Sequence, residues 1–223
     1  MARLARIVVP GAPHFVTQRS VPRQNLFAEP GDYALYRDLL GACCASHGVT
    51  CWAYCLTPKE VRLILTPKRA EGLARALGEA HRRYTAFINV RARRAGNLFH
   101  ARFASFAMDD PTCVEAARAL ALAPVRAGLA KSAREWPHSS VSAHLRKTDD
   151  GLVTVAPILH RAARFADLLA ATADAEKAVK RFEGTHANGR PIGSTKFIER
   201  VEKKLGRNVR PGKRGPKPKA RRG

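Results

Sequence analysis

Immediately after Pro58 the chain reads Lys59-Glu60-Val61-Arg62-Leu63. Alternate residues of a β-strand share a face, so a strand here sets Glu60 beside Arg62, a carboxylate beside a guanidinium. Arg62 has donors only and stays protonated, so it cannot ligate a metal. Glu60 alone would hold magnesium weakly. An arginine projecting from a strand face can instead neutralise a phosphate through a bidentate contact. The plainer reading is a Lys59/Glu60/Arg62 cluster in a solvated turn.

The remaining chemistry is cationic. Lys and Arg number 40 against 18 acids, a formal charge of +22, which attracts polyanions and makes nucleic acid the leading partner. Arg82, Arg83, Arg91, Arg93 and Arg94 crowd one stretch, and Arg19, Arg23, Arg62, Arg102 and Arg126 extend the candidate nucleic-acid contacts along the chain. The tail adds Lys213, Arg214, Lys217 and Lys219, in a segment similar to an AT-hook but lacking its second core arginine. Cys43, Cys44, Cys51, Cys55 and Cys113 form an odd set without paired zinc-site spacing. They read as buried small hydrophobes in a reducing compartment, with no thiolate-held metal. No run reaches the roughly 18 apolar residues of a spanning helix, and the N-terminus lacks a signal-peptide core. A cytoplasmic, membrane-free protein is expected.

These side chains need a scaffold. His14 to Arg19 alternates after the Pro10-Gly11-Ala12-Pro13 turn and reads as a strand. After Pro30, Tyr33, Tyr36, Leu39, Leu40 and Cys43 recur at helical spacing until Gly48. Val49 to Leu56 and Val61 to Leu65 flank Thr57-Pro58-Lys59-Glu60 and suit an antiparallel pair. A long amphipathic helix is expected from Ala70 to about Arg94, a strand from Phe99 to Met108, and a helix from Pro111 to about Leu122, stopped by Pro124. The order β-α-β-β-α-β-α predicts an α+β fold: a ferredoxin-like four-stranded antiparallel sheet with helices on one face and an extra helix after the last strand.

Three parts are expected: a DNA-binding domain over 1–150, a helical extension over 151–205 and a disordered basic tail over 206–223. The extension is alanine-rich to Phe182, loops from Gly184 to Gly193 and ends in a short helix from Thr195 to Leu205. The loop and short helix could set a helix N-terminus near a phosphate or simply dock on the main body. The last 18 residues hold eight Lys or Arg and no acid, which predicts disorder.

Six blocks fall in order along residues 3–145: Pro13-His14-Phe15-Val16-Thr17-Gln18-Arg19, Trp52-Ala53-Tyr54-Cys55-Leu56-Thr57-Pro58, Arg83-Tyr84-Thr85, Gly96-Asn97-Leu98-Phe99, Pro124-Val125-Arg126-Ala127-Gly128-Leu129 and Trp136-Pro137-His138-Ser139-Ser140. With them the chain resembles the HUH single-tyrosine transposases, of IS200-like and REP-associated type. The resemblance implies a third strand carrying two histidines that bind magnesium or manganese. It also implies a tyrosine, on the helix after the fourth strand, that attacks phosphorus.

The chain departs from that pattern where the chemistry sits. Glu60 and Arg62 occupy the two histidine positions, and Ala119 stands at the tyrosine position within Arg118-Ala119-Leu120-Ala121-Leu122-Ala123-Pro124. No catalytic residue and no metal cofactor is therefore expected. Tyr84 and His100 are the available substitute nucleophiles, Tyr84 reading first as a helix residue packed on the sheet. The reading is an inactive, transposase-derived DNA-binding protein acting on hairpin or single-stranded ends, associated with a bacterial nucleoid, as monomer or homodimer. The alternatives are an active single-strand nuclease using substitute residues, and an RNA-binding protein, against which the absence of aromatic RNP-like strands counts.

Overall fold

The computed structural model describes residues 6–162, 164–170, 176, 182 and 189–210. Its centre is a four-stranded antiparallel sheet in the order β2-β3-β1-β4, made of β1 (His14–Arg19), β2 (Val49–Thr57), β3 (Glu60–Pro67) and β4 (Ala104–Ala107). That is the expected ferredoxin-like arrangement. Helix α1 (Pro30–Ser46) joins β1 to β2, and α2 (Gly72–Arg91) joins β3 to β4.

Strand parity sorts the core into two layers. Val16, Tyr54, Leu56, Val61, Leu63 and Leu65 point to one side and pack under Tyr36 and Leu40 of α1 and Leu73, Leu77 and Tyr84 of α2. Phe15, Ala53, Cys55, Ile64 and Phe106 point to the other, where α3 (Asp110–Arg126) lays Cys113, Ala116, Ala119 and Leu120 over them. The first two helices thus share a face, and the third covers the opposite one. A register shift between Cys51 and Ala53 is a bulge that turns both Trp52 and Ala53 towards the α3 layer. The turn into β3 is pinned by Thr57, whose hydroxyl donates to Glu60 O at 3.0 Å and accepts from Glu60 N–H at 3.2 Å.

Besides α2, which runs Gly72–Arg91 and not Ala70 to Arg94, two element boundaries differ from the sequence expectation. The fourth strand spans only Ala104–Ala107 and not Phe99 to Met108. Ala101 takes φ 54°, which no strand residue adopts, and only the Ser20↔Phe99 bridge pairs the segment before it. Phe99 and Phe103 therefore bury themselves from a loop. Nor does Pro124 stop α3, which runs on to Arg126 with Pro124 inside it. Proline removes one bond to the preceding turn and crowds the carbonyl four residues earlier, which weakens the helix without ending it two residues before its cap. The stop is Gly128 at φ 68°, with Leu129 N–H on Pro124 O (2.9 Å) and Gly128 N–H on Val125 O (3.0 Å), a Schellman cap.

Both outer strands are covered along part of their free edges. On β2, Leu56 N–H donates to His138 O (2.9 Å), Ser140 N–H to Tyr54 O (2.9 Å) and Thr154 N–H to Cys51 O (2.8 Å). Trp136 Nε1 adds a bond to Leu56 O at 2.9 Å. The Trp136-to-Ser140 block is thus an edge cover. Short helices α4 (Val141–Arg146) and α5 (Ala156–Arg161) follow it. Beside β4, Ile192 N–H donates to Ala107 O (2.9 Å), and α6 (Thr195–Leu205) sets Phe197 and Val201 against Val9 and Ala107. Of the expected alanine-rich stretch and polar loop, 171–175, 177–181 and 183–188 lie outside the described residues, as does 211–223 of the basic tail.

Asp109 joins the two halves of this arrangement. Its Oδ1 caps α3 at Thr112 N–H (3.1 Å), and its Oδ2 accepts from Ser194 N–H at the start of α6 (2.7 Å). A Cβ at Gly193 would lie 2.7 Å from Asp109 Cγ and 2.8 Å from Phe197 Cδ1. Gly193→Ala is expected to cost about 1–3 kcal/mol by this overpacking. Limited proteolysis should then release the segment from 189 onward faster than in the parent protein, and an unchanged cleavage rate would show that the junction can relax.

Among the described residues no helix is long and apolar enough to cross a membrane.

Candidate nucleic-acid interface

The first residues of β3 place Glu60 and Arg62 on the α3 side of the sheet, four and two positions before Ile64. They do not stand apart. Arg62 Nε lies 2.9 Å and its terminal nitrogen 2.8 Å from Glu60 Oε2, and Arg19 Nε lies 3.2 Å from Oε1. Arg19 is the register partner of Glu60 on β1, so strand pairing itself delivers the second guanidinium. The Glu60 and Arg62 side chains are 13% and 12% exposed, whereas Arg19 is 62% exposed. One carboxylate thus holds a sheltered arginine and a solvated one.

Ala119 is fully buried in the layer that also contains Cys55 and Ile64, the first being Arg62's partner on β2. Burial pushes the Cys55 thiol up to about 12 despite the nearby Arg62 guanidinium, so it is not a nucleophile. The two substitute candidates part company. Tyr84 is buried, with its hydroxyl donating to Leu26 O at 2.7 Å, and burial raises its pKa further. His100 is exposed and lines a cleft beside Glu60.

A divalent metal does not fit at Glu60 and Arg62. Both carboxylate oxygens are already held by guanidinium groups, and a metal bound there would face two fixed positive charges. Among the described residues no three His, Cys, Asp or Glu side chains converge elsewhere.

The arginines expected to contact nucleic acid fall into distinct groups. Arg91 makes a bidentate pair with Asp32 at 2.6 and 2.9 Å, and reaches Glu29 at 3.1 Å. Arg83 pairs with Glu79 one turn away. Arg94 leans on Asn89 at 3.4 Å, and Arg93 and Arg126 are exposed. Arg82 and Arg102, with Arg6, border a groove of about 590 Å³ between α2 and the loop that replaces the expected start of β4. His81 and Phe99, stacked with ring centroids 4.0 Å apart, line it as well. Arg19 and Arg23 line the smaller cleft, about 320 Å³, together with Ser20, Lys59 and His100. Lys213, Arg214, Lys217 and Lys219 lie outside the described residues.

Sequence reading did not assign Lys59 to the cleft. Its backbone carbonyl accepts from Ser20 N–H at 2.9 Å, and Arg19 O accepts from His100 N–H at 2.8 Å. Three segments distant in sequence are thereby laced together, a proximity that no local spacing reveals. Exposed apolar side chains were also missed: Phe87 and Val90 stand 48% and 80% exposed on the arginine-rich side of α2. Helical periodicity marks them in principle, since both fall off the Leu73/Leu77/Tyr84/Ile88 stripe.

The fold is shared with a solved structure of a REP-associated tyrosine transposase bound to a REP hairpin. The match has a TM-score of 0.58 and 18% identity, covering 70% of this chain and 90% of that one. A crystal structure of a transposase candidate from Deinococcus radiodurans R1 also aligns, at TM-score 0.38 and 21% identity over 51% of this chain and 92% of that one. No protein-family profile and no curated protein matches the chain.

Proposed function

We propose that this chain is a transposase-derived DNA-binding protein that holds a hairpin or single-stranded DNA end without cutting it. One observation carries the reading: where the resemblance puts two metal-binding histidines, the chain has a carboxylate locked between two guanidinium groups. Where the resemblance puts the nucleophile, it has the buried methyl group of Ala119. Cleavage by that route needs a Lewis acid and an ionisable hydroxyl, and this arrangement supplies positive charge in their place. Charge suffices for grip, because phosphate neutralisation by Lys and Arg drives nucleic-acid affinity through counterion release. The shared fold with a hairpin-bound transposase supports DNA as the ligand. In this reading 1–150 carry the recognition surface, 151–205 brace it and the basic tail over 206–223 adds sequence-independent attraction.

The test is binding and cleavage of labelled hairpin, single-stranded and duplex DNA, with and without magnesium or manganese. Binding in chelator, preference for hairpin or single strand over duplex, and no covalent adduct in either metal are expected. A metal-dependent phosphotyrosine adduct from the unmodified protein would sink the proposal, and tighter binding to matched RNA would redirect it to the RNA-binding alternative.

A further inference from the structure

We infer that the cleft formed by Arg19, Arg23, Lys59 and His100 is a metal-independent site for a backbone phosphate, and that Glu60 is its internal competitor, a carboxylate that occupies Arg19 until a phosphate takes its place. The identity of the ligand rests on the DNA-binding reading above. The site itself rests on geometry.

The cleft's lining residues are Arg19, Ser20, Val21, Pro22, Arg23, Lys59 and His100, with no acid among them. Its walls come from the end of β1, the turn between β2 and β3, and the loop before β4. They are joined by Ser20 N–H on Lys59 O, Val21 N–H on Leu98 O and His100 N–H on Arg19 O, at 2.8–3.0 Å. Gln18 adds a tie, its side-chain amide donating to Arg19 O (3.1 Å) and His100 O (3.0 Å). The backbone under Arg19, Lys59 and His100 is therefore fixed before any ligand arrives, which lowers the ordering cost of binding.

Glu60 borders this cleft through Arg19. Its two oxygens sit on guanidinium nitrogens at 2.8–3.2 Å, the geometry two phosphate oxygens would take. The two arginines are not equally committed. Arg62 is sheltered and makes two contacts with a single oxygen, whereas Arg19 is mostly solvated and makes one. An entering phosphate would thus draw Arg19 away while Arg62 remains with Glu60, leaving the carboxylate neutralised and the phosphate among Arg19, Arg23, Lys59 and His100. The competition sets a threshold. A passing anion gains little by displacing Glu60, and a phosphate held in register by the rest of a bound DNA gains all four contacts.

The experiment uses the full chain in chelator, with a labelled single-stranded oligonucleotide as one probe and inorganic pyrophosphate as the other. Glu60→Gln keeps the shape and removes the charge. It is expected to tighten oligonucleotide binding about fivefold at low salt, the upper end for an exposed ion pair, and to steepen the salt dependence by about 0.7 in log–log slope for one released cation. Lys59→Gln should do the reverse. Pyrophosphate should shift the His100 ring resonances, at lower concentration in Glu60→Gln than in the parent. If the parent binds DNA and Glu60→Gln binds equally or more weakly, with its melting temperature retained, the competitor role is overturned and DNA binding stands. If DNA does not bind but pyrophosphate shifts His100 with the expected difference between the two proteins, the cleft stands and the DNA reading fails. If neither probe registers, both fall.

Discussion

Taking the protein from pH 7 to pH 4 is expected to remove about 3 kcal/mol of stability through His14 alone. This histidine is fully buried in β1, with Nδ1–H on Ala12 O at 2.8 Å and Nε2 accepting from Val9 N–H at 3.1 Å. Both nitrogens are satisfied only in the neutral ring. A second proton would face the Val9 N–H and take a charge out of water, so burial lowers the pKa from 6.5 to about 4, against a smaller opposing effect of the Ala12 carbonyl. The unfolded chain therefore binds the proton first. The stabilisation is complete above pH 6.5 and drains away as pH falls towards 4. His81 is shifted in the same direction by burial, to about 3. It is half-buried and lines the groove beside α2, where solvent screening discounts its share. Denaturant unfolding at pH 7, 5.5 and 4.5 should show the loss, and His14→Gln should flatten the slope. An equal slope in that variant would place the acid sensitivity elsewhere.

Asp32→Ala is expected to cost about 3 kcal/mol, the low end for breaking a buried ion pair. The carboxylate is 1% exposed and serves four donors: two nitrogens of Arg91, and the N–H groups of Ala28 (2.8 Å) and Glu29 (2.9 Å) at the start of α1. Burial alone would raise its pKa. The bonds from Arg91 and from the Glu29 and Ala28 N–H groups outweigh that and hold it below the ordinary aspartate value. Its contribution is therefore present at neutral pH and lost only as pH falls through that lowered value, below the range in which His14 acts. Arg91 is 30% exposed and can rehydrate when Asp32 is removed, which keeps the cost from running higher. A double-mutant cycle with Arg91→Ala should return a coupling of about 0.5–3 kcal/mol, the usual range for residues in direct contact. Additive losses would mean that the two helix ends are held by other contacts.

Arg91 also shows how far a sequence can be read. By composition it is one more cation in an arginine-rich helix, and its partner lies 59 residues earlier. Local patterns, by contrast, were legible. The Tyr33/Tyr36/Leu40/Cys43 spacing, the Thr57-Pro58 turn and the alternation of His14 to Arg19 each report a neighbour a few residues away, and each element appears as expected. Pro124 and Phe99 to Phe103 misled for the converse reason. A buried proline inside a helix and two aromatic residues buried from a loop are both decided by what packs against them from afar.

The candidate site divides in the same way. That Glu60 and Arg62 stand where the resemblance implies two histidines is visible in one short segment, because the turn and strand that fix their common face are local. That Glu60 would be gripped from β1 as well follows only from the register of β1 on β3. The cleft is less legible still, since Arg23, Lys59 and His100 meet through loops whose course depends on Ala101 and Arg23 at positive φ (54° and 63°).

The covered edges of the sheet bear on how this protein can associate. A strand from another molecule adds to a sheet only where N–H and C=O groups of an outer strand are unpaired. Here the Trp136-to-Ser140 segment and Thr154 take up much of the outer side of β2, and Ile192 takes the end of β4. Two copies brought together on one polyanion therefore have little backbone to share. Any pairing between them falls to side-chain surfaces such as Phe87 and Val90 on α2, where arginines crowd the apolar patch and like charges repel until an anion lies between them. Self-association of this chain should accordingly follow its polyanion, appearing with DNA and dissolving with salt.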